Sequence, residues 1–313
     1  MLPPHSTISV RVPAIAWLAN DTVSYISWSS SQRAVGTTVR WPEYTTLLDR
    51  RSDNSPSIAG SGSGTVMAWK GSQDDTIRFA LLNQPAADPL PGDLYEWGPP
   101  LVADHFHTPT FPTLVQYGTR LFMFWKTGVH WDGHLGWSEL RDGRWVRPLD
   151  PNDGFVTMDW VDAYQGVALA HHSHDGQLYM AWRKEDSTRI WWDTFDGSFW
   201  GGFGHTLTDR ATPAVPSLAS DGNNVYMAYR RESDDCLEWS VLVGSTWGAP
   251  QPLFDRRSAT GPTLWALGPG KLVMIWGGVH GDMWWSQFEN GRWGPQQGFA
   301  DRRLGRGFRA NLA

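Results

Sequence analysis

Apolar and polar residues alternate along this chain in short runs broken by Gly, Pro, Asn and Asp, and no segment sustains a 3.6-residue period. Alternation of period two is the mark of half-buried strands, so the pattern predicts an all-β protein with almost no helix. The stretch QLYMAWRKEDSTRIWWDTFDGSFWGGFGHTLTD (177–209) shows the recurring unit: an aromatic strand, a charged turn, a second aromatic strand, a Gly turn and a strand ending in Trp. Versions of it recur five more times. The second-strand aromatic falls at Trp28, Trp69, Trp125, Trp182, Tyr229 and Trp276, with gaps of 41, 56, 57, 47 and 47 residues. Met stands two positions earlier in five copies (Met67, Met123, Met180, Met227, Met274), which puts both side chains on one face. A Trp also closes each unit, at Trp41, Trp97, Trp145, Trp200, Trp247 and Trp293, with gaps of 56, 48, 55, 47 and 46.

Each unit reads as four strands. The first is short and often opens at Pro, as in PAIAW (13–17), PSIAG (56–60), PTLVQ (112–116), PSLAS (216–220) and PTLWA (262–266); GVALA (166–170) is the sixth copy. The third is IRFALL (77–82), LGWSEL (135–140), IWWDTF (190–195), LEWSVL (237–242) or MWWSQF (283–288). Asp142-Gly143, Asp196-Gly197 and Asn290-Gly291 then supply the turn chemistry of tight hairpins. Four-stranded units of this length, repeated around a ring, predict a six-bladed β-propeller of antiparallel blades, one domain spanning 1–313. Seven blades with one incomplete is the alternative. The terminal GRGFRANLA resembles the start of another first strand and is expected to dock beside the N-terminal one and close the ring.

Composition narrows the chemistry. The 21 Trp residues exceed what ordinary cores use, and Trp both fills wide spaces between sheets and offers flat faces to ligands. A net charge of −6 with no long basic run argues against nucleic acid. One cysteine, Cys236, excludes an intrachain disulfide. The opening MLPPHSTISVRV has neither a basic start nor an apolar run, so no signal peptide and no transmembrane segment is expected, and the protein is expected to be soluble, cytoplasmic or released by a non-classical route.

In a propeller, the strand 2–3 turns and the links between blades emerge on one face, and the charged residues concentrate there. The links LLDRRSDNSP (47–56), VADHFHTPTFP (102–112), LTDRATPAVP (207–216), LFDRRSATGP (253–262) and FADRRLGRGF (299–308) repeat an Asp before basic residues or His. Asp49, Asp104, Asp209, Asp255 and Asp301 either ring the channel mouth toward a polar ligand or pair with the neighbouring Arg and lock one blade to the next. After the second-strand aromatic stands Lys70, Lys126, Arg183 or Arg230, cations suited to sugar hydroxyls or a carboxylate. One third-strand position is always aromatic (Phe79, Trp137, Trp192, Trp239, Trp285) and reads as blade packing. The position before it varies: Arg78, Gly136, Trp191, Glu238, Trp284. Trp191 and Trp284 could stack on a sugar ring, with Arg183, Glu185, Arg189, Arg230 or Glu238 beside them; Lys126, His130 and His280 complete the candidate ligand-binding set. His105-x-His107, His130, His134 and His171–His174 could serve a metal only if they converged, and His171–His174 fall on the opposite face. Neither metal nor cofactor is expected.

Units such as PSLASDGNNVYMAYRRESDDCLEWSVLVGSTW (216–247) resemble those of β-propeller lectins, including the fucose-binding and tectonin-like groups, over nearly the whole chain. The resemblance implies sugar pockets between adjacent blades built from Trp or Tyr with Arg and Glu, here Arg183 with Trp191, Arg230 with Glu238, and Trp284. A weaker similarity is to six-bladed sialidases: TFDGSFW (194–200) and QFENGRW (287–293) sit where their Asp-box lies but lack its spacing. There is no GxSxG, HExxH or P-loop. Binding of a glycan or small polar ligand is therefore expected ahead of catalysis, with a channel-mouth hydrolase or cyclase as the alternative and a protein-interaction scaffold as the third reading.

Overall fold

The computed structural model describes residues 14–18, 25–30, 32–33, 39–40, 44–61, 64–83, 96–127, 134–148, 156–202, 204–303 and 311–312. Every repeat forms one antiparallel sheet, and there are six. The innermost strands are Ala14–Leu18, Ser57–Ser61, Thr113–Tyr117, Ala163–His172, Ser217–Ser220 and Thr263–Gly268, and the chain steps outward from each in sequence order. The molecule is thus a six-bladed β-propeller. Two of the three expected hairpin turns carry left-handed φ at both residues, Asp142 and Gly143 at 49° and 77° and Asn290 and Gly291 at 53° and 78°; at Asp196-Gly197 only Gly197 does, at 101°. Left-handed φ at both central residues matches the twist of the flanking strands.

Among the described residues, the apolar core lies between blades rather than at the centre. Six apolar clusters each join two neighbouring blades, one cluster per junction. In five of them a repeat Met and second-strand aromatic face the preceding blade, as with Met180 and Trp182, both fully buried against blade three. The invariant third-strand aromatic looks the other way: Trp192 packs against blade five. The strand Asn311–Leu312 pairs with Ala14–Leu18, Ile15 opposite Leu312, and lies between the innermost strands of blades six and two. The last described strand therefore closes the ring where the sequence suggested.

The outer edge differs from expectation. In blades two, three, five and six it is two pieces on one third strand: Thr246–Trp247 pairs one half of Cys236–Val243 and Gln251–Arg257 the other. The expected loop-like links are strands. The insertion over 84–95 and Trp41 lie outside the described residues.

Candidate functional site

The outer strands of blades one, four, five and six bulge at their Asp-Arg pairs. Leu253 opposes Leu237 and Arg257 opposes Cys236, so Phe254, Asp255 and Arg256 are extra residues on one side of the ladder. The same shift occurs at Leu48–Arg50 and Thr208–Arg210. A bulge breaks the alternation and re-aims its side chains. The Asp stays exposed while the Arg turns into the next blade. Arg256 donates to the Gly294 carbonyl at 2.6 Å, and its guanidinium lies 5.8 Å from the Trp276 ring and 5.9 Å from that of Trp293. Arg210 donates to the Gly248 carbonyl at 2.6 Å, and Arg50 to that of Gly98. The bonded Asp partners are Asp49 at 2.7 Å and Asp209 at 3.0 Å, with Asp255 at 3.5 Å from Arg256. Burial pulls the Arg50 and Arg256 guanidiniums below their ordinary range. At the other junctions aromatics do the same work: Phe106 stacks on Trp125 at 4.5 Å, and Trp160 meets Trp182 edge-on at 5.9 Å. Between the two readings of the links, the geometry selects the blade-to-blade lock for Asp49, Asp209 and Asp255. The side chains of Asp104 and Asp301 lie outside the described residues.

At the described junctions, which side chains face one another follows from register. The variable third-strand residue sits opposite the second-strand aromatic: Trp69 opposite Arg78, Trp125 opposite Gly136, Trp182 opposite Trp191, Tyr229 opposite Glu238, Trp276 opposite Trp284. Period two then sends the residue directly after the aromatic to the far face, and the next one back. Lys184, not Arg183, reaches Trp191, with its ammonium 5.9 Å from the ring. Arg183 instead lies flat on Tyr164, 3.8 Å from its centroid. Likewise Arg231, not Arg230, reaches Glu238, at 3.0 Å. Arg230 pairs with Asp235 at 2.8 Å and donates to the Ala259 carbonyl at 3.1 Å.

The remaining candidates scatter. Lys126 and exposed Glu185 form an ion pair joining the turns of blades three and four. Arg189 donates to the Thr208 carbonyl of its own blade. Trp191 is half-buried against Trp182 in the aromatic cluster between blades three and four. Trp284 donates its indole N–H to Asp282. His280 is exposed on the blade-six turn, and His130 lies outside the described residues. His171 and His172 engage Tyr117 and Ser220 on the opposite face. Among the described residues, no three His, Cys, Asp or Glu side chains converge as metal ligands.

Blade five holds a continuous polar network at its second-strand anchor. Tyr229 donates its hydroxyl to Glu238 Oε2 at 2.6 Å, Arg231 Nη1 donates to Oε1 at 3.0 Å, and Arg231 grips Asp234 through Nε and Nη2 at 2.7 and 2.6 Å. Burial and the Glu238 charge push the Tyr229 phenol well above its usual range. The Arg231 bonds hold Asp234 down at about 2. Beside this network the Phe254 ring, 73% exposed, lies 5.8 Å from the Arg231 guanidinium. Sequence reasoning chose Arg230 and passed over Arg231, Lys184 and Phe254. Counting alternation outward from the aromatic anchor would have found the two cations; the bulge that presents Phe254 has no local signal.

No family model and no curated protein matches the chain. Solved structures do. The fucose-specific lectin from Aleuria aurantia superposes with a TM-score of 0.60 at 12% identity, over 95% of this chain and 97% of that one. A chain of the nidogen/laminin complex gives 0.59 at 12%, over 96% and 98%. The Hadza microbial sialidase Hz136 gives 0.51 at 11%, over 85% and 63%. The fold is that of the six-bladed propeller lectins. It is also shared by proteins of other kinds, so function must be argued from the crevices.

Proposed function

We propose that the protein binds carbohydrate in the crevice between blades four and five. The observation that supports this is the Tyr229–Glu238–Arg231 network beside the exposed ring of Phe254. Arg231 uses three N–H groups on Asp234 and Glu238, and a guanidinium carries five, so two remain for ligand hydroxyls. Each Glu238 oxygen retains acceptor capacity beyond its one bond, which suits a neighbouring hydroxyl donor. The flat Phe254 face covers the apolar side of a pyranose ring while the fixed polar groups read its edge. Tyr229 and Asp234 hold both key groups in place before the ligand arrives, which lowers the ordering cost of binding. The proteins that share this fold include a fucose-specific lectin, which makes neutral sugars the first ligands to test.

The test is a glycan array followed by calorimetric titration of the best ligand. Binding to at least one glycan is expected, weakened by more than about tenfold in Arg231→Ala, because a charge-assisted pair to the ligand is lost. Absence of binding to every glycan, or an Arg231→Ala protein that binds as well as the wild type, would overturn the reading.

A further inference from the structure

Blade six departs from a rule kept by three others. In blades two, four and five, an acid in the strand 2–3 turn has a cation from the same blade: Asp74 with Arg78 at 2.9 Å, Asp186 with Lys184 at 3.3 Å, Asp234 with Arg231 at 2.6 Å. In blade six the acid is Asp282, and the place of Lys184 and Arg231 is taken by Gly278. Asp282 has no ionic partner among the described residues. One of its oxygens accepts the indole N–H of Trp284; the other is buried and receives no hydrogen bond. Of the nearby guanidiniums, Arg256 is on the Gly294 carbonyl and Arg257 on that of Asp234, while Arg303 stands opposite Asp282 in the ladder with its side chain outside the described residues.

Gly278 permits this arrangement. A Cβ there would stand 2.9 Å from Asp282 Oδ1 and 2.9 Å from Trp284 Nε1, so acid and indole close directly over bare backbone. Blade five runs an arginine stem along that line; among the described side chains, blade six supplies an anion and an aromatic face there and no cation. A buried carboxylate oxygen without a donor is costly, which favours any ligand that brings one.

We propose that the crevice between blades five and six binds a ligand through a protonated amine, of the amino-sugar class. The ammonium takes the place of the missing guanidinium: it donates to Asp282 as a charge-assisted hydrogen bond and lies against the half-buried Trp284 ring. Opening the Trp284–Asp282 bond exposes the oxygen that now lacks a donor. N-acetylation of the sugar removes the charge and with it both interactions. This site stands on its own observation and does not depend on the reading of blade five.

Calorimetric titration with glucosamine, N-acetylglucosamine and ethylammonium at mildly acidic pH tests it, in the wild type, Asp282→Asn and Asp186→Asn, the last a matched change on the blade-four turn. Glucosamine is expected to bind wild type and Asp186→Asn alike. It should bind Asp282→Asn more than about tenfold more weakly, since one partner of a charged pair is gone. N-acetylglucosamine, which carries no charge, should lose no affinity in Asp282→Asn. Ethylammonium binding that also needs Asp282 supports recognition of the amine itself. Near-ultraviolet circular dichroism confirms that Asp282→Asn is folded, and Trp284→Ala provides a second variant with the same expected loss. Absence of glucosamine binding by the wild type at millimolar ligand would overturn the proposal. So would wild-type affinity in both Asp282→Asn and Trp284→Ala, or the same loss in Asp186→Asn as in Asp282→Asn.

Discussion

The hydroxyl of Tyr229 sets blade five apart. The other described second-strand anchors are Trp, which carries an indole N–H but no hydroxyl. With Tyr there, Glu238 can be buried because both its oxygens receive hydrogen bonds. Tyr229→Phe removes one of those donors and should cost about 1 kcal/mol in urea unfolding. Glu238→Ala strips the partner from both Tyr229 and Arg231 and should cost about 2–4 kcal/mol, toward the lower end because Arg231 is partly solvated. Acid sensitivity has a separate residue-scale source. Burial alone would raise the Asp221 carboxyl, but the backbone N–H groups of Gly270, Asn224 and Asn223, with the Tyr226 hydroxyl, hold it below its ordinary range. A carboxylate depressed in the folded state contributes stability that is full above its unfolded value, near pH 4, and lost as pH falls through the folded value. The melting temperature should therefore drop below about pH 4. In Asp221→Asn it should be lower at neutral pH and fall less steeply, measured by calorimetry across that range.

At the scale of the element, the bulged outer strand carries the repeat's most regular motif. Arg256 is an arginine buried between Trp276 and Trp293 that spends its charge on one carbonyl and an exposed Asp. Phe106 fills the corresponding place at another junction without any charge. The requirement there is volume against the next blade. Arg256→Ala should accordingly cost about 2–4 kcal/mol by leaving a hole, whereas Arg256→Met should stay within about 1 kcal/mol of the wild type, because apolar replacement of a buried ion is often neutral. Equal destabilisation by the two variants in urea unfolding would show that charge matters more than packing. Five Asp-basic copies were plain in the sequence, yet their strand pairing was not. A bulge has no period of its own, and the segment's alternation breaks where Asp255 and Arg256 lie.

Across the whole molecule, every blade is held by its neighbours and by nothing at the centre. Clusters at all six junctions make the ring continuous, including the one that packs Trp17 of blade one against Val273 and Trp285 of blade six. The pairing of Asn311–Leu312 with Ala14–Leu18 adds backbone bonds at that closing junction. Leu312→Pro removes an N–H from this pairing and should lower the melting temperature by about 2–3 °C, as a loss of roughly 1–2 kcal/mol would in a domain of this size.

The sequence by itself put six blades ahead of seven and identified the residues that pack them, because both follow from local alternation repeated at Trp and Met positions. It also showed where copies diverge, at Arg183, Arg230, Trp191, Glu238 and Trp284. Only the tertiary structure decided which divergent residues meet. Arg231 rather than Arg230 shares a face with Glu238, and Gly278 leaves Asp282 without a cation. Both facts depend on cross-strand register and on the turn that joins two strands. A one-residue step there reverses the face a side chain occupies.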